Sequence, residues 1–203
     1  MLDLFQSENG EPQHIDLPGA ELLFWPQFYS QLGAEQWYAK LIEKVQWKEK
    51  IIQMYGRDVL VPRLSSWYAD KEKNYTYSGA LHTPLNWISE LLVLKQDVEK
   101  RTQASFNSVL CNLYRNNQDS VAWHSDDEPE LGNQPIIASL SFGETRVFQF
   151  RRKDDHKKKF ALELPSGSCL LMRGDTQKLW QHQIAKTTQS LKPRINLTFR
   201  LVS

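Results

Sequence analysis

The chain has 203 residues, of which 40% are hydrophobic and 24% are charged, and its formal net charge is +1. These values are ordinary for a soluble globular protein of one domain. So small a net charge gives no argument for a polyanionic partner, and any nucleic-acid binding must depend on local patches. No apolar run reaches ~18 residues, and the first residues lack the basic and apolar regions of a secretion signal. We therefore expect no membrane association and an intracellular protein, cytoplasmic or nuclear.

The N-terminal half has helical and irregular patterns. Residues 1 to about 20 are polar and read as loosely ordered, and apolar residues at helical spacing predict an amphipathic helix over about 31–46. A second helix is predicted to begin at Thr83-Pro84, a capping residue followed by proline. An aromatic-rich region of strands and loops lies between the two helices.

From Phe106 onwards the pattern changes to short apolar or alternating runs bounded by turn residues. Strands without intervening helices are typical of a sandwich or barrel. We expect a mainly β protein with a double-stranded β-helix (jelly roll) core over 104–203 and an α/β extension over 1–103. The predicted strands are 106–114, 135–142, 145–151, 160–164, 168–173 and 193–202. Cys111 and Cys169 lie in such runs and are expected to be buried free thiols.

Three residues form a candidate metal site. His124 and Asp126 are two residues apart, which on a strand would place both side chains on one face. With His182 they complete a set of two histidines and one carboxylate, which leaves open positions on iron(II). A hydrolytic zinc site is the alternative, but it would not explain the arginine-lined strand described next. His14, His82 and His156 lie in turn-like or polar contexts and are expected at the surface.

The last predicted strand has one polar and one apolar face. Arg194, Asn196, Thr198 and Arg200 alternate with Ile195, Leu197 and Phe199. Buried guanidinium groups require an anionic partner, and a dicarboxylate could chelate iron at one end and bind arginine at the other. The alternative is an exposed strand with solvated arginines. On another strand, Asn112 and Tyr114 share a face and could bind a carboxylate, or could be purely structural.

Five elements together resemble the AlkB family of iron(II)- and 2-oxoglutarate-dependent dioxygenases, in its DNA-repair branch, over about residues 50–202. They are Asn112-Leu-Tyr114, His124-Ser-Asp126, Ile137-Ala-Ser-Leu-Ser-Phe-Gly143, His182 and Arg194-Ile-Asn196-Leu-Thr-Phe-Arg200. The resemblance implies a jelly-roll core with an N-terminal nucleotide-recognition lid, and the use of iron(II), 2-oxoglutarate and O2. It also implies that iron is bound by His124, Asp126 and His182, and 2-oxoglutarate by Asn112, Tyr114, Arg194, Asn196, Thr198 and Arg200.

The resemblance also implies a set of substrate-binding residues. A finger loop would insert Tyr55 into DNA, a lid strand would stack Tyr77 on a flipped base opposite His124, and Glu128 would contact that base. The full set is Met54, Tyr55, Gly56, Arg63, Tyr75, Tyr77, Ser78 and Glu128. Acidic residues after the metal motif would favour a cationic methylated base at short range. Ordinary sheet tyrosines and a solvated acidic loop are the alternatives.

The resemblance therefore implies an enzyme that removes methyl groups from 1-methyladenine and 3-methylcytosine in damaged DNA, duplex or single-stranded, and we expect it to be a monomer. A finger residue at Tyr55 favours duplex DNA, because filling a gap in the stack is unnecessary on a single strand. An RNA (tRNA or mRNA) demethylase with the same chemistry is one alternative, and a catalytically silent nucleic-acid-binding module is another. The basic segments 151–153 and 157–159 could follow phosphates or could simply be solvated.

Overall fold

The structure, a computed structural model, describes residues 10–54, 56–70, 75–77, 80–82 and 84–203, and for 52–54, 75–77 and 80–82 it describes the backbone alone. Its helices are α1 (Gln31–Lys44), α2 (Ser89–Thr102), α3 (Thr176–Leu179) and a 3-10 turn (Pro129–Leu131). Its strands are β1 (Gln13–Ile15), β2 (Glu21–Trp25), β3 (Ile51–Met54), β4 (Arg57–Leu60), β5 (Leu64–Ala69), β6 (Tyr75–Tyr77), β7 (Ala80–His82), β8 (Ser108–Tyr114), β9 (Val121–His124), β10 (Ile137–Gly143), β11 (Arg146–Arg152), β12 (Lys159–Leu164), β13 (Cys169–Arg173), β14 (Trp180–Ile184) and β15 (Arg194–Arg200).

Two antiparallel sheets form the core. The larger sheet has the order β1-β2-β13-β10-β15-β8-β5 and the smaller has the order β12-β11-β14-β9. Apolar side chains from both sheets form one buried cluster, with Ile137 and Met172 from the larger sheet and Phe150 and Ile184 from the smaller. Two sheets that pack face to face over a shared core are a sandwich. The predicted jelly-roll fold is confirmed.

The helices α1 and α2 cover the outer face of the larger sheet. Leu41 of α1 and Leu94 of α2 are completely buried in a second cluster that also contains Leu197 and Phe199 of β15. The apolar face of β15 therefore packs against the two helices. Its polar face must then look into the space between the two sheets, because successive side chains on a strand alternate.

The second helix begins later than the sequence predicted. Leu85 donates its backbone N–H to Trp67 at 2.8 Å and accepts from Ala69 at 3.2 Å, so this segment is held beside β5. The helix starts at Ser89, and its buried residues include Leu94, whereas Leu92 is 39% exposed. Thr83, the predicted cap, lies outside the described residues.

Residues before position 104 contribute strands to the core as well as to separate hairpins. β1, β2 and β5 extend the larger sheet, whereas β3 pairs with β4 and β6 pairs with β7 in two-stranded sheets. Cys111 and Cys169 are buried free thiols, as predicted. Among the residues that the structure describes, no helix is both long and apolar enough to cross a lipid bilayer.

Candidate active site

The structure brings together the three residues of the predicted metal site. His124 at the end of β9 is paired across the smaller sheet with His182 of β14, and their ring centroids are 4.3 Å apart. One potential ligand atom from each of these residues and from Asp126 lies within 4.8 Å of the others. His182 and Asp126 are only 4% and 3% exposed. Two imidazoles and a carboxylate that converge in this way fit a divalent iron ion.

The position of Asp126 does not come from strand geometry. We had expected His124 and Asp126 to share one face of a strand. β9 ends at His124, so Asp126 lies beyond the strand. Tertiary contacts hold Asp126 instead. Arg200 donates from Nη2 to Oδ1 of Asp126 at 2.7 Å, and the backbone N–H of Asp126 donates to Oε1 of Gln177 at 3.0 Å. Sequence reasoning missed Gln177, which is 1% exposed. A glutamine five residues before His182 is the only signal in the sequence.

The charge states of these groups suit a metal cation. Burial alone would raise the pKa of Asp126, but the nearby Arg200, His182 and His124 outweigh it and lower that pKa. Burial, with His124 adding to it, lowers the pKa of His182 to about 3. Nδ1 of His124 lies 2.8 Å from the backbone carbonyl oxygen of Ala122. That contact requires a donor at Nδ1 and leaves the Nε2 lone pair for a metal.

The polar face of β15 is buried rather than solvated. Arg194, Asn196 and Thr198 are 1%, 7% and 7% exposed, which rules out the solvated alternative. Arg194 donates from Nη2 to Oγ of Ser141 at 2.9 Å, while its buried Nε and Nη1 have no hydrogen-bond acceptor among the described residues. Burial lowers the pKa of Arg194 to about 10, so it stays cationic at neutral pH. A buried cation with unused donors fits a carboxylate.

The two arginines of β15 do not converge on one point. Arg200 pairs with Asp126, whereas Arg194, at the other end of the strand, lies beside Tyr114 with its guanidinium carbon 5.3 Å from the ring centroid. A ligand between them would meet the metal site at one end and Arg194 at the other. Residues six apart on a strand are about 20 Å apart, so the two arginines serve different ends of the site.

The side chains of Asn196 and Thr198 are largely engaged within the protein. Nδ2 of Asn196 donates to Oγ of Ser139 at 2.8 Å and to the Leu140 carbonyl at 3.2 Å, and its Oδ1 accepts from Thr198 at 3.0 Å. Both amide hydrogens of Asn196 are therefore used within the protein. Contact of Asn196 and Thr198 with 2-oxoglutarate stays a prediction. Sequence reasoning gave no role to Ser139 and Ser141. Their signal was two serines alternating with apolar residues in β10, opposite Thr198 and Asn196.

One small cavity is lined by all nine residues predicted to bind iron or 2-oxoglutarate. The remaining lining residues include Arg63, Ser139, Phe148 and Ile184. The nine are Asn112, Tyr114, His124, Asp126, His182, Arg194, Asn196, Thr198 and Arg200. The cavity thus joins the candidate metal-binding set to a buried cation, and both fit the groups that the resemblance implied.

A larger cleft of about 610 Å³ adjoins this cavity, because residues including Arg63, Asn112, His124 and Arg200 line both. Its wall combines apolar side chains with lysines and arginines, among them Ile51, Val59, Trp67, Trp123, Lys48 and Lys50. Such a cleft has the size of a pocket for a small molecule or a nucleobase.

The acidic residues after the metal motif are arranged differently from each other. Asp127 forms an ion pair with Lys153 at 2.8 Å, so its charge is partly offset and it is a weaker attractor of a cationic base than the sequence suggested. Glu128 is half-buried and starts the 3-10 turn.

The basic segments lie on the β11–β12 hairpin, where Arg151 stacks on Trp123 with 4.6 Å from its guanidinium carbon to the ring centroid.

The other predicted substrate-binding residues are placed by their backbone alone or not at all. Met54 pairs with Arg57 across the β3–β4 hairpin, where Gly56 has a φ of 73° that favours glycine. Tyr75 and Tyr77 pair with His82 and Ala80 in the β6–β7 hairpin. Tyr55 and Ser78 lie outside the described residues. Of the remaining histidines, His14 and His156 are exposed, as predicted.

Comparison with known proteins agrees with this geometry. Residues 21–200 match the model of the 2OG-Fe(II) oxygenase superfamily. The chain is 45% identical over 186 residues to alpha-ketoglutarate-dependent dioxygenase alkB homolog 3 of Bos taurus, covering 87% of this chain and 64% of that protein. It is 40% identical over 212 residues to the Homo sapiens protein of that name, covering 95% and 73%.

A second group of relatives and one solved structure extend the comparison. The DNA oxidative demethylase ALKBH2 of Homo sapiens is 38% identical over 158 residues, covering 74% of this chain and 60% of that protein. The structure of OsALKBH1 superposes with a TM-score of 0.67 at 16% identity, covers 94% of this chain and 99% of its own, and supports the fold alone. The chain belongs to the 2OG-Fe(II) oxygenase superfamily and, within it, to the AlkB family.

Proposed function

We propose that the chain is an oxidative demethylase that repairs 1-methyladenine and 3-methylcytosine in DNA, using iron(II), 2-oxoglutarate and O2. The observation that carries the proposal is the converging set of His124 and the buried Asp126 and His182, beside the unused donors of Arg194, in a cavity that adjoins the 610 Å³ cleft. The relatives named DNA oxidative demethylase favour DNA as the substrate. The alkB homolog 3 relatives carry no substrate in their names, so RNA remains the second candidate.

Each part of the cavity has a role in this proposal. His124, Asp126 and His182 hold the iron, and Arg194 binds the distal carboxylate of 2-oxoglutarate beside Tyr114. When bound, iron(II) and 2-oxoglutarate supply oxygen activation coupled to decarboxylation, which turns an N-methyl group into N-hydroxymethyl. Arg200 keeps the Asp126 carboxylate ionised and oriented. The hydroxymethyl group then leaves as formaldehyde, and the base is restored.

The cleft supplies the binding surface for the damaged nucleotide. Its apolar wall can pack against a base removed from the stack, and Lys48 and Lys50 can approach phosphates. Burial and the neighbouring Arg63 lower the pKa of Lys50. We assign the base-stacking role to Tyr77, the wedge to Tyr55 and a contact with the cationic base to Glu128.

The test is formaldehyde release from oligonucleotides that carry 1-methyladenine. The same lesion is presented in single-stranded DNA, duplex DNA and RNA, with iron(II) and 2-oxoglutarate each present or omitted. An unmethylated oligonucleotide and the Asp126→Ala protein are the controls. Release that requires both additions and is faster on DNA supports the proposal. Faster release from RNA selects the RNA alternative, and the absence of both release and 2-oxoglutarate turnover selects a silent binding module.

A further inference from the structure

Arg63 makes two contacts that link the cleft to the co-substrate cavity. It precedes β5, and its Nε donates to Oδ1 of Asn112 at 2.8 Å while its Nη1 donates to the Ser120 carbonyl at 3.0 Å. The backbone returns this contact, because Ser120 donates to the Pro62 carbonyl at 2.9 Å. Ser120 immediately precedes β9, the strand that carries His124. Arg63 therefore joins β8 to the start of the strand that carries a metal ligand.

The contact with Arg63 decides how the Asn112 amide is oriented. A guanidinium group has donors only, so the atom of Asn112 that faces it must be the carbonyl oxygen. The amide nitrogen, a donor, is thereby turned away from Arg63. Asn112 is 5% exposed and sits opposite Asn196 of β15 in the sheet, among the residues that line the cavity. Without Arg63, either end of the amide could face the cavity, and only one end can donate to a carboxylate.

We infer that Arg63 is a positioning residue for the co-substrate: it fixes the Asn112 amide so that its nitrogen donates to an oxygen of 2-oxoglutarate. This inference rests on the proposed function, because it takes the cavity as the 2-oxoglutarate site. It differs from the expectation from the resemblance, which places Arg63 in the substrate-binding set near the damaged strand. The two roles make separate predictions: a positioning role changes affinity for 2-oxoglutarate through Asn112, whereas a strand contact changes affinity for nucleic acid and is independent of Asn112.

The experiment is a double-mutant cycle on the binding of 2-oxoglutarate. Arg63→Met, Asn112→Ala and the double variant are loaded with Mn(II), and 2-oxoglutarate is titrated by calorimetry, which needs no turnover. We expect each single variant to bind about tenfold more weakly, the effect of losing one hydrogen bond to a charged group. The double variant should bind no more weakly than Asn112→Ala alone, because Arg63 acts through Asn112. Arg63→Lys, which keeps a donor, should recover part of the affinity.

Matched controls separate this role from general destabilisation. Arg173→Met removes an arginine whose ion pair is with Glu21 and which lines neither cavity, and it should leave 2-oxoglutarate affinity unchanged. All titrations are made below the unfolding temperature of the least stable variant. A loss in Arg63→Met that adds fully to that of Asn112→Ala overturns the inference. So does an unchanged 2-oxoglutarate affinity with weaker nucleic-acid binding.

The cycle also distinguishes failure of the inference from failure of the proposed function. If the Mn(II)-loaded wild-type protein does not bind 2-oxoglutarate at all, the proposed function itself is wrong. If the wild-type protein binds and Asn112→Ala binds equally well, the cavity is a co-substrate site in which neither Asn112 nor Arg63 takes part, and the inference alone is overturned.

Discussion

Arg200 and Asp126 form an ion pair in which both side chains are nearly buried, 12% and 4% exposed, with 2.7 Å between Nη2 and Oδ1. The pair joins β15 of the larger sheet to the loop that follows β9 of the smaller sheet. It therefore positions a candidate iron ligand from the opposite side of the sandwich. It also lowers the pKa of Asp126 against the effect of burial, so that the carboxylate is ready to bind a cation.

Replacing Arg200 should weaken metal binding. Arg200→Met removes the group that orients and charges the Asp126 carboxylate, and losses of about 10- to 100-fold in metal affinity are usual when such a supporting contact is removed. Arg200→Lys keeps the positive charge and should lose less. The measurement is Mn(II) affinity of the metal-free proteins. Equal affinity in wild type and Arg200→Met would show that the ion pair does not support the metal site.

Replacing Gln177 should weaken metal binding by a different route. Its Oε1 accepts the backbone N–H of Asp126 at 3.0 Å, and Gln177→Met keeps the volume while removing that acceptor. We expect about a tenfold loss of Mn(II) affinity, because a buried backbone donor is left without a partner. Gln177→Glu retains an acceptor and is the matched variant. Were Gln177→Glu to lose as much affinity as Gln177→Met, the backbone contact would not be the cause.

Binding of 2-oxoglutarate should stabilise the fold through Arg194. The unused Nε and Nη1 of this buried side chain gain acceptors when a carboxylate binds. At a ligand concentration of ~100 times Kd, the free energy of unfolding should rise by about 2.7 kcal/mol. Thermal unfolding of the Mn(II)-loaded protein with and without 2-oxoglutarate measures this rise. Arg194→Met should show almost no rise at the same concentration, and a rise equal to that of wild type would place the distal carboxylate elsewhere.

The finger hypothesis predicts a strand-dependent effect. Tyr55→Ala should lower demethylation of duplex DNA several-fold more than that of single-stranded DNA, because a wedge compensates for unstacking only in a duplex. A tyrosine elsewhere in the chain is a poor control, since Tyr38, for example, packs against the core. Tyr55→Phe, which keeps the aromatic ring, is therefore the matched variant. The rates of formaldehyde release on the two substrates are compared. Equal losses on both would remove the finger role.

Asp119 should make the loop between β8 and β9 sensitive to acid. Its carboxylate accepts from the backbone and side chain of Arg115 at 2.8 to 3.0 Å. Burial alone would raise the pKa of Asp119, but these bonds outweigh it and the pKa is lowered. Because the folded-state pKa lies below the unfolded value, the stabilisation is present above the unfolded pKa of ~3.9 and is lost as the pH falls through the folded-state pKa.

The corresponding variant is Asp119→Asn. It should cost about 1–3 kcal/mol in the free energy of unfolding at pH 7, measured by urea denaturation. The difference from wild type should shrink as the pH falls below ~4. A difference that stays constant from pH 7 to pH 3 would mean that the charge of Asp119 does not contribute.

The sequence by itself determined the sandwich and most of its strands. Alternation on β15 divided its residues correctly between the helix-covered face and the inner face, because a strand that is buried on one side must alternate. The residue types and spacing of His124, Asp126 and His182 predicted a candidate metal set, and the structure brings one ligand atom of each within 4.8 Å of the others. The strands β9 and β14, which carry the two histidines, were not predicted as strands: both are short and are interrupted by polar residues.

Only the tertiary structure decided how the site is held together. Asp126 lies beyond its strand, so its position depends on Arg200 and Gln177, which are distant along the chain. The start of α2 was shifted by the pairing of Leu85 with β5, a contact that no local pattern reveals. Likewise, the orientation of the Asn112 amide depends on Arg63 from another segment. Local patterns fix which face a residue occupies, whereas hydrogen-bond partners are chosen by the packing of segments that meet only after folding.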